Sequence, residues 1–277
     1  TGLGESEEAI VYMGQELTKL GWKVTVYANP GPDVGDHQGI TYLPWYDLNW
    51  KDSFNVLVLW RIIGFVDLNP KAKYIVAWMH DVPSNPDFTQ ERVGKIDKII
   101  PLSEYHKSLF RMHTLTGEFV PMPEDKLFVS SNGIIKPNLN TKWLRKPFSM
   151  LYVSSADRGL IYLLNNWSKI REQVPEATLD VFYGFQVYDV LHGNNPARMA
   201  WKEHLLGLMK QEGISYKGRI GHTQLNKEFA THAVWAYPTD FTEINCITAM
   251  KAQACGAIPV TTNMAALKET VCCGGVR

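Results

Sequence analysis

Residues 237–262 place a carboxylate, small polar groups and a helix-forming run at a spacing suited to holding phosphate and sugar together. The segment reads as a strand end, a loop, a helix opening near Glu243, a glycine stop at Gly256 and a short strand over 257–262. The first N–H groups of such a helix carry the positive end of its dipole and favour an anion. Asn245, Cys246, Ile247 and Thr248 fall in its opening turns, with Lys251 one turn further on.

Other candidates lie where predicted strands end. Gly2 and Gly4 precede a helix and let backbone approach a ligand closely. They lack the third glycine of a dinucleotide fingerprint and the Lys-Ser/Thr of a phosphate-binding P-loop. His80-Asp81 follows an apolar run, where an imidazole can make polar contacts. Ser155, Arg158 and Gly159 sit in the next such loop, and arginine offers phosphate a planar fork of donors. Tyr183-Gly184 and Lys217-Gly218-Arg219 end two further strands. A plain turn, a structural histidine or a helix-start acid accounts for each of these alone. Asp-x-Asp, HExxH, a nucleophile elbow and a clustered Cys/His set are all missing, so no metal site is expected.

Taken together, these residues resemble the GT4 family of retaining glycosyltransferases, which have the GT-B fold. Glu243 and the run from Ala252 to Val260, with its Gly and Pro-Val, are similar to that family's donor-binding motif. The Gly2/Gly4 loop, Leu20-Gly21 and Val24-Thr25-Val26 resemble its opening segment. The resemblance implies that His80 and Glu243 contact the transferred sugar and that Arg158 grips the donor diphosphate. It also implies that backbone near Ile247 and Thr248 faces that diphosphate, and that Gly218 and Arg219 lie near the base. The sequence departs from the pattern at Lys251, where a second Glu is usual. An ammonium only donates, so it cannot accept the ribose bonds that Glu would. One of the family's two basic residues is also replaced, by Ser154 or Ser155.

The positioning elements follow from apolar patterning. Short apolar runs alternate with helix-periodic stretches, as in right-handed crossover units with parallel sheets. Apolar residues Ile10, Met13, Leu17 and Leu20 predict one helix face, with Val24 and Val26 inward on the next strand. Residues 29–39 read as a surface loop, and Ser103 as a helix cap. Leu160, Leu163, Leu164, Trp167 and Ile170 define a further helix face. An aperiodic stretch over 132–147 separates two blocks. The expected fold class is therefore α/β. An acceptor-side Rossmann-like domain over 1–140 and a nucleotide-sugar-binding one over 141–277 would face a central cleft.

At 277 residues, with 28 basic and 28 acidic side chains, the chain has no net charge, so nucleic acid is not an expected partner. Its four cysteines form no CxxC pair, which favours a reducing, cytoplasmic setting. The triplet Asn166-Trp167-Ser168 is read as an ordinary helix segment rather than a glycosylation site. No apolar run approaches bilayer length, though peripheral membrane contact is compatible with the sequence. The abrupt Thr1 and Arg277 ends are those expected of a shortened chain. The expected activity is metal-independent, retaining sugar transfer. No cofactor is expected beyond the donor substrate, and the acceptor would be a glycan, a lipid-linked group or a small molecule. Two alternatives stand beside it: a nucleotide-sugar binder without activity, and another GT-B enzyme such as an epimerase or phosphorylase.

Overall fold

The computed structural model describes residues 4–83, 86–140 and 142–272. The chain divides into two compact units, one ending at Gly133 and the other beginning at Ile134. That division lies inside the aperiodic stretch and before the 140/141 boundary read from sequence.

The N-terminal unit opens with α1 (Glu5–Lys19), β1 (Val24–Ala28), β2 (Gly35–His37) and β3 (Ile40–Pro44). It continues through β4 (Ser53–Trp60), β5 (Lys71–Trp78), α2 (Gln90–Gly94), β6 (Lys98–Ile100), α3 (Glu104–Ser108), β7 (Arg111–His113) and β8 (Phe119–Pro121). Its strands form two three-stranded sheets, β1-β3-β2 and β4-β5-β6, and a β7–β8 pair. β4, β5 and β6 run parallel, with Trp60 opposite Trp78 at the carboxyl end. Leu59, Ile63, Ala77, Met79, Val93, Ile99 and Phe110 belong to the buried core of this unit.

Several sequence expectations need correcting here. The large apolar residues do not mark the buried face of α1. Met13 and Leu20 are exposed, whereas Ala9 and Gly14 are buried. A Cβ on Gly14 would lie 2.7 Å from Ile40 Cδ1, so this helix meets β3 through its small residues. The expected surface loop over 29–39 contains β2, which pairs antiparallel with β3. β1 is half-buried along its whole length rather than alternating. Ser103 does cap α3, accepting from His106 N at 2.9 Å.

The C-terminal unit contains β9 (Lys146–Val153), α4 (Leu160–Asn165), α5 (Trp167–Gln173), β10 (Thr178–Phe182) and α6 (Gln186–His192). After these come α7 (Pro196–Leu208), β11 (Ile214–Gly218), α8 (His222–Thr231), β12 (His232–Tyr237), α9 (Ile247–Ala254), β13 (Ile258–Thr261) and α10 (Leu267–Thr270). The single helix face expected from Leu160 to Ile170 is thus two short helices meeting at Asn166. All five strands are parallel, in the order β11-β10-β9-β12-β13. Leu151, Tyr152 and Val153 are consecutive and all buried, as expected of a central parallel strand covered on both faces. Pro196 opens α7, and Asn195 caps it by accepting from Arg198 N.

Candidate functional site

The strand order of the C-terminal unit reverses between β9 and β12, and ligands in open parallel sheets bind beyond the carboxyl ends at such a point. The loops leaving these two strands, 154–159 and 238–246, carry Ser155, Arg158, Gly159, Glu243, Asn245 and Cys246 of the predicted site residues. Gly159 joins them. It holds φ +97°, and a Cβ there would lie 2.1 Å from Pro238 O and 2.8 Å from Thr239 Cα. Only glycine allows this approach without moving backbone. The buried Tyr152 hydroxyl braces the first loop, donating to Ser155 O at 2.8 Å and Arg158 O at 3.1 Å. Burial pushes that hydroxyl's pKa up, which keeps it a donor.

Within this arrangement Arg158 stands 3.7 Å from the Glu243 carboxylate and 3.8 Å over the Phe241 ring. Glu243 is buried and accepts a 2.6 Å hydrogen bond from the Tyr237 hydroxyl. Burial, then the nearby Glu243 charge, holds the Tyr237 proton far above its usual pKa. A guanidinium with one face on an aromatic ring and one edge toward a fixed carboxylate is well oriented for an anion.

Glu243 does not open a helix, contrary to the sequence expectation. α9 starts at Ile247, with Cys246 as its N-cap. The Glu243 carbonyl accepts from Ala266 N at 3.0 Å, so it is tied to the segment before α10 rather than to a first helical turn. Asn245, Cys246 and Ile247 are buried, and Thr248 is half-buried. The N-terminus of α9 therefore follows directly on the Glu243 loop.

A second group gathers at the ends of β10 and β11. Tyr183 holds φ +88°, a conformation rare outside glycine, and its N–H donates to Gly218 O at 3.0 Å. The Arg219 guanidinium lies 5.8 Å over the Tyr183 ring. Ser154, Tyr183, Gly184, Phe185 and Tyr216 line one small, mostly apolar hollow. Lys251 reaches from α9 toward His222 at the start of α8, with Nζ 3.3 Å from Nδ1.

His80 and Gly4 belong to the other unit. Gly4 is the N-cap of α1, whose first turn also carries Glu7, 3.8 Å from Arg61, and buried Glu8. His80 follows β5 with its ring edge-on to Trp78, centroids 4.4 Å apart. Burial first, and Arg61 second, lower its pKa to about 4. Gly2 lies outside the described residues. Sequence reasoning missed Tyr237, Phe241 and His222. Each is an aromatic ring that holds a predicted charge, and such partners have no spacing signal.

Among the described residues, one His/Cys/Asp/Glu group has metal-binding geometry: Asp180, Glu228 and His232. It is internally bonded. His232 Nδ1 lies 2.8 Å from Glu228 O, its Nε2 lies 3.3 Å from Asp180, and Lys217 stands 3.7 Å from that same Asp180. No described helix is long and apolar enough to cross a membrane.

No family model and no curated protein matches the chain. Solved structures do. Sucrose-phosphate synthase from Thermosynechococcus elongatus aligns over 97% of this chain and 78% of its own, with TM-score 0.68 and 16% identity. A glycosyltransferase from Rickettsia africae aligns over 95% and 77%, with TM-score 0.69 and 14% identity. The pneumococcal O-GlcNAc transferase GtfA, solved with UDP and GlcNAc, aligns over 80% of this chain with TM-score 0.55 and 16% identity. This chain spans 44% of the GtfA chain, under half its length. At such low identity the likeness establishes the fold: α/β units with parallel sheets, as in the GT-B glycosyltransferases.

Proposed function

We propose that the chain is a retaining glycosyltransferase of GT4 type, moving a sugar from a nucleotide-diphosphate sugar to an acceptor hydroxyl. The observation that carries this reading is the Arg158–Glu243–Tyr237 cluster at the sheet's switch point, next to the N-terminus of α9. As the bond to diphosphate breaks, negative charge grows on the phosphates and positive character on the sugar. Arg158 and the α9 dipole stabilise the first, and the buried Glu243 carboxylate faces the second. Their energy counts most in the transition state because the charges are largest there.

The positive charge comes from the chain's own groups, which supports metal-independent chemistry with no cofactor beyond the donor. Retention follows from attack on the leaving-group face, with a donor phosphate oxygen taking the acceptor proton. Gly218 and Arg219, beside Tyr183, would lie near the base, and Lys251 with His222 would meet ribose or phosphate oxygens. UDP in the GtfA structure favours a uridine donor for the first trials. The acceptor is a glycan, a lipid-linked group or a small hydroxyl compound, and the setting is cytoplasmic.

Incubation with UDP-glucose, GDP-mannose and ADP-glucose and an acceptor panel, followed by proton NMR of the product anomer, tests the reading. An α-donor should give an α-product, with the rate unchanged by a chelator. An inverted product or complete loss of transfer on chelation contradicts it. Binding without transfer favours the inactive-binder alternative.

A further inference from the structure

The turn that carries His80 is fixed from three directions. Met79 N donates to Ile100 O at 3.1 Å. The Asp81 carboxylate takes a two-pronged contact from Arg61, whose backbone N donates to Trp78 O at 3.1 Å. The third tie is the side chain of His106 on α3, a fully buried residue with no motif signal. Its Nε2 lies 2.9 Å from Asp81 O, and its Nδ1 accepts from Leu102 N at 3.1 Å.

These two partners settle the tautomer. A backbone N–H only donates, so Nδ1 keeps the lone pair, and the proton sits on Nε2 and is donated to the Asp81 carbonyl. Burial lowers the pKa of this imidazole to about 4, so it is neutral near pH 7 and uses both nitrogens. The Leu102 bond is local and serves the start of α3, where Ser103 also caps His106 N. The Asp81 bond is different, because it reaches back 25 residues to the turn after β5.

We propose that His106 is a positioning residue for sugar transfer, its Nε2–H holding the Asp81 carbonyl and so fixing the direction in which His80 points. The inference rests on the sugar-transfer reading for the task that His80 performs. His106 touches no substrate and acts through one peptide carbonyl.

Two substitutions separate the ring nitrogens. His106→Asn keeps an acceptor near the Nδ1 position and loses the distal donor. His106→Gln keeps a donor near the Nε2 position and loses the proximal acceptor. Long-range proton–nitrogen correlation spectra of the histidine rings, assigned with His80→Phe, read the result without substrate. In wild type His106 should carry its proton on Nε2. The groups acting on His80 are Arg61, Asp81 and His106, and burial holds its titration near 4. That value should persist in His106→Gln. In His106→Asn the released turn should admit water, and the value should rise toward the ordinary 6.5 or so. In transfer assays kcat of His106→Asn should fall roughly ten- to a hundredfold with the donor KM little changed, and His106→Gln should recover most of the loss. The proposal is overturned if the wild-type ring is protonated on Nδ1, if His80 titrates alike in all three proteins, or if the Asn variant stays closer to wild type than the Gln variant. The tautomer is read on wild type, so a variant that fails to fold still leaves a deciding result. The expected His80 titrations in a protein whose wild type transfers no sugar would sink the transfer reading and leave the tie from His106 to His80 standing.

Discussion

Replacing Gly159 with alanine tests how the candidate site is held together. Two costs can be read from the structure. The residue holds φ +97°, and a side chain in that left-handed region costs about 1–2 kcal/mol. The added Cβ would also lie 2.1 Å from Pro238 O and 2.8 Å from Thr239 Cα, both backbone atoms. Relieving such overpacking typically adds about 1–3 kcal/mol. The sum is about 2–5 kcal/mol, or a melting-temperature fall of roughly 5–15 °C. Gly218→Ala separates the two costs, since Gly218 has φ +67° with nothing within 4 Å of its virtual Cβ. It should lose only about 1–2 kcal/mol. Thermal unfolding of both variants, followed by circular dichroism, provides the comparison. Because the Gly159 clash pushes the 238–241 backbone away from Arg158, donor affinity should fall in that variant as well. Equal melting temperatures for Gly159→Ala and Gly218→Ala would refute the argument that loop apposition, rather than backbone conformation alone, requires this glycine.

Other perturbations address separate links. Tyr237→Phe removes the 2.6 Å donor to buried Glu243, and a cycle with Glu243→Gln should show a coupling of about 1.5–3 kcal/mol in denaturant unfolding. Additivity within about 0.5 kcal/mol would mean the bond contributes little. Arg145 donates to Cys255 O at 3.0 Å and also to His232 O, tying the ends of α8 and α9 together. Arg145→Ala should cost about 1.5–3 kcal/mol, and an unchanged unfolding midpoint would exclude that role. His80 and His106 are both held near pKa 4 by burial, whereas an unfolded histidine titrates near 6.5. The unfolded chain then binds more protons between those values, so stability should fall as pH drops from about 6.5 to about 4. The loss is about 3 kcal/mol per histidine, and a flat stability profile across that window would contradict it.

The central strands β9 and β12 of the C-terminal sheet were legible in the sequence because they are largely buried and read as apolar runs, as at Leu151-Tyr152-Val153. Some short strands were not legible. β3 and the β7–β8 pair have no such run, and their pairing partners fix them instead. The packing face of α1 was misread because Gly14 and Ala9, not Met13 and Leu20, make the close approach to the sheet. At the site, Arg158, Gly159 and Glu243 could be picked out by type and by their place after strands. The start of α9 could not, because Glu243 spends its carbonyl on Ala266, a contact made outside any local turn. Arg145 sat in a stretch read as linker, and its bonds run to residues 84 to 110 positions away. The rings that hold Arg158 and Glu243, Phe241 and Tyr237, likewise act through space rather than through a spacing.

Calorimetric titration of UDP, GDP and ADP and their hexose conjugates into wild type and Arg158→Ala tests the central claim most directly. The account predicts that at least one of these diphosphates binds the wild-type chain, and that Arg158→Ala weakens it by on the order of tenfold or more, the loss of one charge-assisted contact. No heat from any of them, or equal affinity in the variant, would contradict a diphosphate site built on Arg158.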